Sequence, residues 1–295
     1  MSGCRVALVG AGSMAANHAR VIADSRRASI AVVVDRDGDR AERLAQATGA
    51  MATTDLAWAF ECDAAVVATA TAAHAQTSHA LIDAGLPVLI EKPLASTLNE
   101  TRQIVAAASR RDVALMCGLV ERFNPAFARL RNYPLSARSR ISTMRLSPAP
   151  LVVHSSVVND VLLHDLDLIL TLANGDSVVE VVAHAEDWKG DWPETVTCRL
   201  TFASGMTASL YASRVAATRR RELAIEEEGQ RAKPVDLLQT NGNALEAQFH
   251  RFIDLVEHST FAEREAERLT VLPGHELAHR VDSYIAEDAL PSCAS

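Results

Sequence analysis

The chain has 295 residues, 48% hydrophobic and 22% charged, a globular balance with room for two domains and not a disordered one. Its 29 basic and 37 acidic residues leave a formal net charge of −8, which argues against a nucleic-acid surface built on basic excess. No apolar run reaches the ~18 residues of a membrane span, and residues 1–5 show no basic region followed by an apolar stretch, so neither a membrane segment nor a signal peptide is expected.

The first predicted strand, residues 5–9, runs directly into Gly10-Ala11-Gly12-Ser13-Met14-Ala15. Gly10 permits a tight turn, Gly12 lets the backbone approach a pyrophosphate, and Ala15 in the third glycine position still allows close helix–strand packing. The next helix, opened by Ser13 and Met14, aims its first N–H groups at the phosphates. A second strand, 30–34, ends in Asp35, 20 residues beyond Ala15, where a carboxylate accepts ribose hydroxyls. Asp35 favours NAD over NADP. Arg36, able to stack on adenine or reach a phosphate, keeps NADP open.

A helix over 39–47 and a strand over 64–68 follow. After that strand, Thr69, Thr71 and His74 either line the cofactor crevice or form a polar loop and helix cap. The strand at 88–90 ends in Glu91-Lys92-Pro93, at the sheet edge where ligands bind in open α/β folds. Only Lys92, Lys189 and Lys233 are lysines, so a lysine in a motif points to a need for a compact, titratable amine. A solvated turn is the alternative. Glu91 is placed to pair with or position that amine. A helix over 99–108 and a strand over 114–117 complete a parallel sheet with crossover helices across residues 1–120.

Residues 121–295 read as a second domain, entered through a region punctuated by Pro134, Pro148 and Pro150. A predicted helix over 157–172 carries Asp160, His164, Asp167 and Thr171 at i, i+4, i+7 and i+11, one polar seam on an otherwise apolar helix. A carboxylate one turn from an imidazole fixes its tautomer and raises its basicity, which makes His164 a candidate general base supported by Asp160. A small solvated face, or the start of a metal site, is the alternative; no third ligand is evident, so no metal is expected. Period-2 segments at 178–184, 195–202, 206–212 and 222–226, with turn residues Ser204, Gly205 and Gly229, predict an antiparallel sheet. Trp188 and Trp192 fall in a loop between two of them. Helical patterns at 244–258 and 275–285 precede a loose tail, 291–295. The five cysteines, Cys4, Cys62, Cys117, Cys198 and Cys293, form no CxxC pair, and a reducing cytoplasm is expected.

These motifs together resemble the Gfo/Idh/MocA oxidoreductase family. The likeness rests on Gly10–Ala15 with His18 three residues on, the Thr69–His74 segment, Glu91-Lys92-Pro93 and Asp160-x-x-x-His164, in family order over about residues 5–170. It implies an N-terminal Rossmann domain, a doubly wound parallel sheet, followed by an α/β domain with a large, mostly antiparallel sheet often used for oligomerisation. Gly118-Leu119-Val120-Glu121-Arg122-Phe123-Asn124 and Ala212-Ser213-Arg214 add a likeness to the branch that oxidises the 3-hydroxyl of UDP-N-acetylglucosamine or its uronic acid. The resemblance implies catalytic roles for Lys92 and His164, support from Asp160, and substrate contact by Arg122, Phe123 and Asn124. Departures are Ala15 for a third glycine, Ala70 for a frequent proline, and Gly118-Leu119 for a commoner Gly-His. The expected partners are NAD, a sugar or sugar-nucleotide substrate and further copies of the chain, as a homodimer or homotetramer. A dehydrogenase or reductase of an aminoglycoside, nucleoside or imine intermediate, and a catalytically silent NAD- and sugar-binding sensor, are the alternatives.

Overall fold

The computed structural model describes residues 3–149, 155–227, 233–239 and 241–288. Pro150, Gly229, Cys293 and the tail at 291–295 lie outside the described residues. The chain begins β1 (Cys4–Val9), α1 (Ser13–Asp24), β2 (Ala28–Val34), α2 (Gly38–Thr48), β3 (Met51–Thr53), β4 (Ala64–Val67), α3 (Thr71–Asp83), β5 (Val88–Ile90), α4 (Leu98–Arg111) and β6 (Leu115–Cys117). It continues through α5 (Pro125–Ala128), β7 (Arg140–Leu146), a π-helical turn at Val158–Leu162, α6 (Leu163–Ala173), β8 (Val178–Lys189), β9 (Trp192–Phe202), β10 (Thr207–Ser213), β11 (Arg220–Glu226) and β12 (Val235–Asp236). Helices α7 (Ala244–His258), α8 (Phe261–Leu269) and α9 (Val271–Asp288) close it. Among the described residues no helix is long and apolar enough to cross a membrane.

Two compact units result. One runs to Leu119 and takes up Ala244–Leu272; the other comprises Val120–Asn243 and the chain from Pro273. The first holds a six-stranded parallel sheet in the order β3-β2-β1-β4-β5-β6. Its central strands are buried on both faces: Val6, Ala7, Leu8, Ala64–Val67 and Val88 are fully covered, as their unbroken apolar runs require. Strand order reverses between β1 and β4, so the crevice lies beyond their C-terminal ends. The edge strand β3 has three residues, too short for a period to show in sequence.

Residues 244–272 depart from the sequence reading, which keeps them in the second domain. They pack on the first unit. The amide of Gln248 donates to the Cys117 carbonyl at 3.1 Å, Arg27 pairs with Asp254 at 2.7 Å, and the buried Arg268 donates to the Val113 carbonyl at 2.7 Å. An amphipathic helix pattern states that a face is buried but not against what.

The second unit holds a six-stranded sheet in the order β12-β11-β7-β10-β9-β8. It is antiparallel except for the β7–β10 pair, which is parallel. Strand β7 escapes a hydrophobicity reading because its inward positions include the buried Thr143 and Arg145. Trp188 and Trp192 lie on the paired strands β8 and β9 and not in a loop, exposed on either side of a turn with Gly190 at φ +61°.

Candidate functional site

In the first unit, Gly10 turns the chain out of β1 at φ +106°, and a Cβ there would lie 2.5 Å from the Ala68 carbonyl oxygen. Only glycine fits both the dihedral and the approach of the β4 loop. Gly12 caps α1, and a Cβ on it would meet nothing within 4 Å. That open space lies at the start of the helix, where backbone N–H groups attract phosphate. Ala15 is fully buried against the sheet, while Ser13 and Met14 are exposed.

Asp35, just past β2, closes the loop from the other side. Its Oδ2 accepts the Ala11 N–H at 2.7 Å and its Oδ1 the Asp37 N–H at 2.9 Å. Arg36 is exposed. A cavity of about 410 Å³ is lined by Ala11, Gly12, Ser13, Arg40, Arg43 and Leu44. The sequence reading does not single out Arg40 and Arg43. Their i, i+3 spacing on α2 was the available signal. The forced Gly10, the open space over Gly12 and the preset carboxylate suit a dinucleotide.

Thr69 and Thr71, at the C-terminal end of β4 and the start of α3, are half-buried. His74 is buried, with Nδ1 3.0 Å from the Pro93 carbonyl and Nε2 3.1 Å from the Thr69 carbonyl. Lys92, half-buried, follows β5. Glu91 is turned inward: Oε1 lies 2.7 Å from His18 Nε2, and Oε2 accepts the Lys92 backbone N–H at 3.2 Å.

In the second unit, the predicted polar seam is divided among separate partners. The segment over 157–172 opens as a π-helical turn, with the Leu163 N–H bonded to the Val158 carbonyl five residues back. The wider turn shifts the register between Asp160 and α6, a deviation frequent at functional sites. Asp160 Oδ2 lies 3.3 Å from Arg214 Nη1. Arg214, 1% exposed, also forks onto Glu194 at 3.0 and 3.1 Å. Asp167, 2% exposed, is gripped by Arg122, whose Nε donates to its Oδ2 at 2.6 Å. Thr171 bonds the Asp167 carbonyl. His164 is half-buried.

Beside the seam, Arg145 donates to Asp165 at 2.7 Å and to Glu121 at 2.9 Å, all three buried. Arg221 reaches the same Glu121 oxygen at 2.7 Å. Burial pushes the Glu121 carboxyl up, but Arg145 and Arg221 together hold it below the usual range. Burial raises the carboxyls of Asp165 and Asp167, and their arginines offset this in part. Asn124, 3% exposed, is committed internally: its amide donates to Glu121 Oε2 and the Leu237 carbonyl, and its oxygen accepts the Ala126 N–H. Phe123 is half-buried.

Comparison with known proteins adds the following. Residues 4–119 match the model described as "Oxidoreductase family, NAD-binding Rossmann fold", and residues 128–232 match the "GFO/IDH/MocA C-terminal domain". The myo-inositol dehydrogenase Hyg17 of Streptomyces leeuwenhoekii is 39% identical over 191 residues, which cover 60% of this chain and 58% of that enzyme, under two thirds of its length. The UDP-N-acetylglucosamine 3-dehydrogenase of Acidithiobacillus ferrooxidans is 30% identical over 213 residues, 72% of this chain and 67% of that one. A solved structure of UDP-N-acetylglucosamine 3-dehydrogenase GnnA from Acidithiobacillus ferrooxidans superposes with TM-score 0.87 at 25% identity, covering 97% of this chain and 99% of its own.

Proposed function

The chain belongs to the Gfo/Idh/MocA oxidoreductase family, and from that premise we propose that it is an NAD-dependent dehydrogenase acting on a secondary alcohol of a sugar, nucleotide-linked and oxidised at its 3-hydroxyl. The observation that supports the reading is the glycine loop braced by Asp35, whose carboxylate accepts the Ala11 and Asp37 N–H groups at the place where a ribose would meet it. NAD, which the Gly10–Gly12 loop and Asp35 would hold, would supply the acceptor for the carbon-bound hydrogen and its electron pair. Lys92 donates from its ammonium to the substrate oxygen and stabilises the negative charge that develops there. His164 accepts the hydroxyl proton, and Asp160 supports it. Arg122 and Phe123 are the substrate-facing candidates of their stretch, whereas the Asn124 amide serves as a cap.

A second reading, a cyclitol as substrate, is favoured by the 39% identity to a myo-inositol dehydrogenase. We further read the protein as a cytoplasmic homodimer or homotetramer. The exposed Val179, Val182, Trp188 and Trp192 of β8 and β9 support association, and light scattering tests it. The test of the activity is nicotinamide absorbance with NAD against a panel of nucleotide sugars and cyclitols. Turnover on a UDP-sugar, with Lys92→Ala and His164→Ala each lowering kcat by ~10²–10⁴-fold, is the expected result. Turnover on inositols alone selects the second reading. Binding of NAD and a sugar without any absorbance change overturns both and leaves a sensor.

A further inference from the structure

Lys92 is bracketed by two buried histidines of its own unit. On one side His18 of α1, fully buried, places Nε2 2.7 Å from Glu91 Oε1. The second oxygen of that carboxylate accepts the Lys92 backbone N–H at 3.2 Å. Gly118, just past β6, leaves the room for it: a Cβ there would lie 2.8 Å from Glu91 Oε2 and 3.0 Å from Glu91 Cα. On the other side His74 of α3, 1% exposed, spans the carbonyls of Pro93 and Thr69. The residues immediately before and after the lysine thus lie against an imidazole of α1 and an imidazole of α3.

Packing alone does not account for His18. Its Nδ1 is buried and has no hydrogen-bond partner, whereas an apolar side chain of that size would leave no orphaned atom. What the imidazole adds is the Nε2 contact to Glu91. Lysine carries its charge on a long, flexible stem, so the position of its root sets where the ammonium can reach. We propose that His18, Glu91 and His74 are positioning residues that clamp the Lys92 backbone at the C-terminal edge of the parallel sheet. The proposal rests on the reading of Lys92 as a group that touches substrate.

The test uses His18→Leu, His18→Gln and His74→Leu in the full chain, with two readouts. Amide hydrogen exchange at Lys92 reports the backbone without any turnover. In His18→Leu and His74→Leu it should rise by about tenfold or more while amides of β1 and β4 stay protected. kcat should fall by up to ~10²-fold, the effect of a catalytic group displaced by about 1 Å, with NAD affinity little changed. His18→Gln, whose amide can still donate to Glu91, should recover part of both. In a Lys92→Ala background, His18→Leu should lower kcat no further. Unchanged exchange at Lys92 overturns the clamp, as does a kcat loss that persists undiminished in the Lys92→Ala background. Normal turnover of Lys92→Ala overturns the reading of Lys92 instead, and the exchange result tells the two failures apart.

Discussion

Asp35 accepts two backbone hydrogen bonds, from Ala11 and Asp37, and these orient its carboxylate. Asp35→Ser removes both the brace of the loop and the charge that, in the proposed reading, meets the ribose. NAD affinity should fall by about tenfold to a hundredfold, the range for a lost charge-assisted hydrogen bond, and discrimination against NADP should relax. Calorimetry on the unmodified protein that finds NADP binding tighter would refute the NAD assignment and implicate Arg36, Arg40 and Arg43. Asp160 is different because its charge is shared with Arg214. Asp160→Asn removes a negative group four residues before His164, so the proton should leave the imidazole more readily. The limb of the kcat/KM profile that rises with pH should move to lower pH, and the move is kept small because Arg214 already offsets the carboxylate. The maximal rate should also fall. An unmoved profile at full rate would make Asp160 only a partner of Arg214.

The start of the π-helical turn is tied to α9. Asp282, in the second half of that helix, accepts from the Asn159 amide at 2.6 Å and from the Ser156 hydroxyl at 3.2 Å. Burial lifts its carboxyl from 3.8 to about 6, against the lowering effect of those two hydrogen bonds. A carboxyl that protonates more readily folded than unfolded stabilises the fold fully at low pH. That contribution is lost as pH rises from about 4 through about 6. Asp282→Asn keeps an acceptor and removes the charge. It should leave stability near pH 4 little changed and raise it at pH 7, by at most ~3 kcal/mol. Urea denaturation at the two pH values measures this, and a variant less stable at pH 7 sinks the assignment. The Glu121–Arg145–Asp165 cluster is held differently, because each charge there has a buried counter-charge. Removing one partner of such a cluster leaves an uncompensated ion in the core.

For the whole molecule, the return of the chain at Ala244–Leu272 means that the first unit is discontinuous in sequence. Phe249, Phe252, Ile253 and Leu255 are buried there, and Arg268 satisfies carbonyls at the end of α4 and beyond it. A chain ending at residue 243 should therefore lose NAD binding and bind a hydrophobic dye, although every residue of the phosphate loop is still present. Retention of full NAD affinity by that truncated chain would show that α7 and α8 are dispensable to the first unit. Those helices are visible in the sequence as amphipathic stretches, but their target is not. Apolar spacing reports that a face is covered, and the covering surface is set by contacts more than 100 residues away, such as Gln248 with Cys117.

Five strands of the parallel sheet, the glycine turn with Asp35 after β2, and the strand-end Lys92 were legible in the sequence alone, whereas the three-residue β3 was not. Each rests on local chemistry: continuous apolar runs, a glycine forced to positive φ, an acid at a fixed distance along the chain. Tertiary structure decided which charges meet. Asp160, Asp165 and Asp167 lie within eight residues of one another, yet they pair with Arg214, Arg145 and Arg122 respectively. Regular helical spacing placed Asp160, Asp167 and His164 on one seam. The π-helical turn broke that register, and burial required Asp165 and Asp167 each to find a cation, while the more exposed Asp160 meets Arg214 at the edge of its fork with Glu194. The pairing of buried ions is settled by which strands and helices pack together, and a count along one helix does not contain that information.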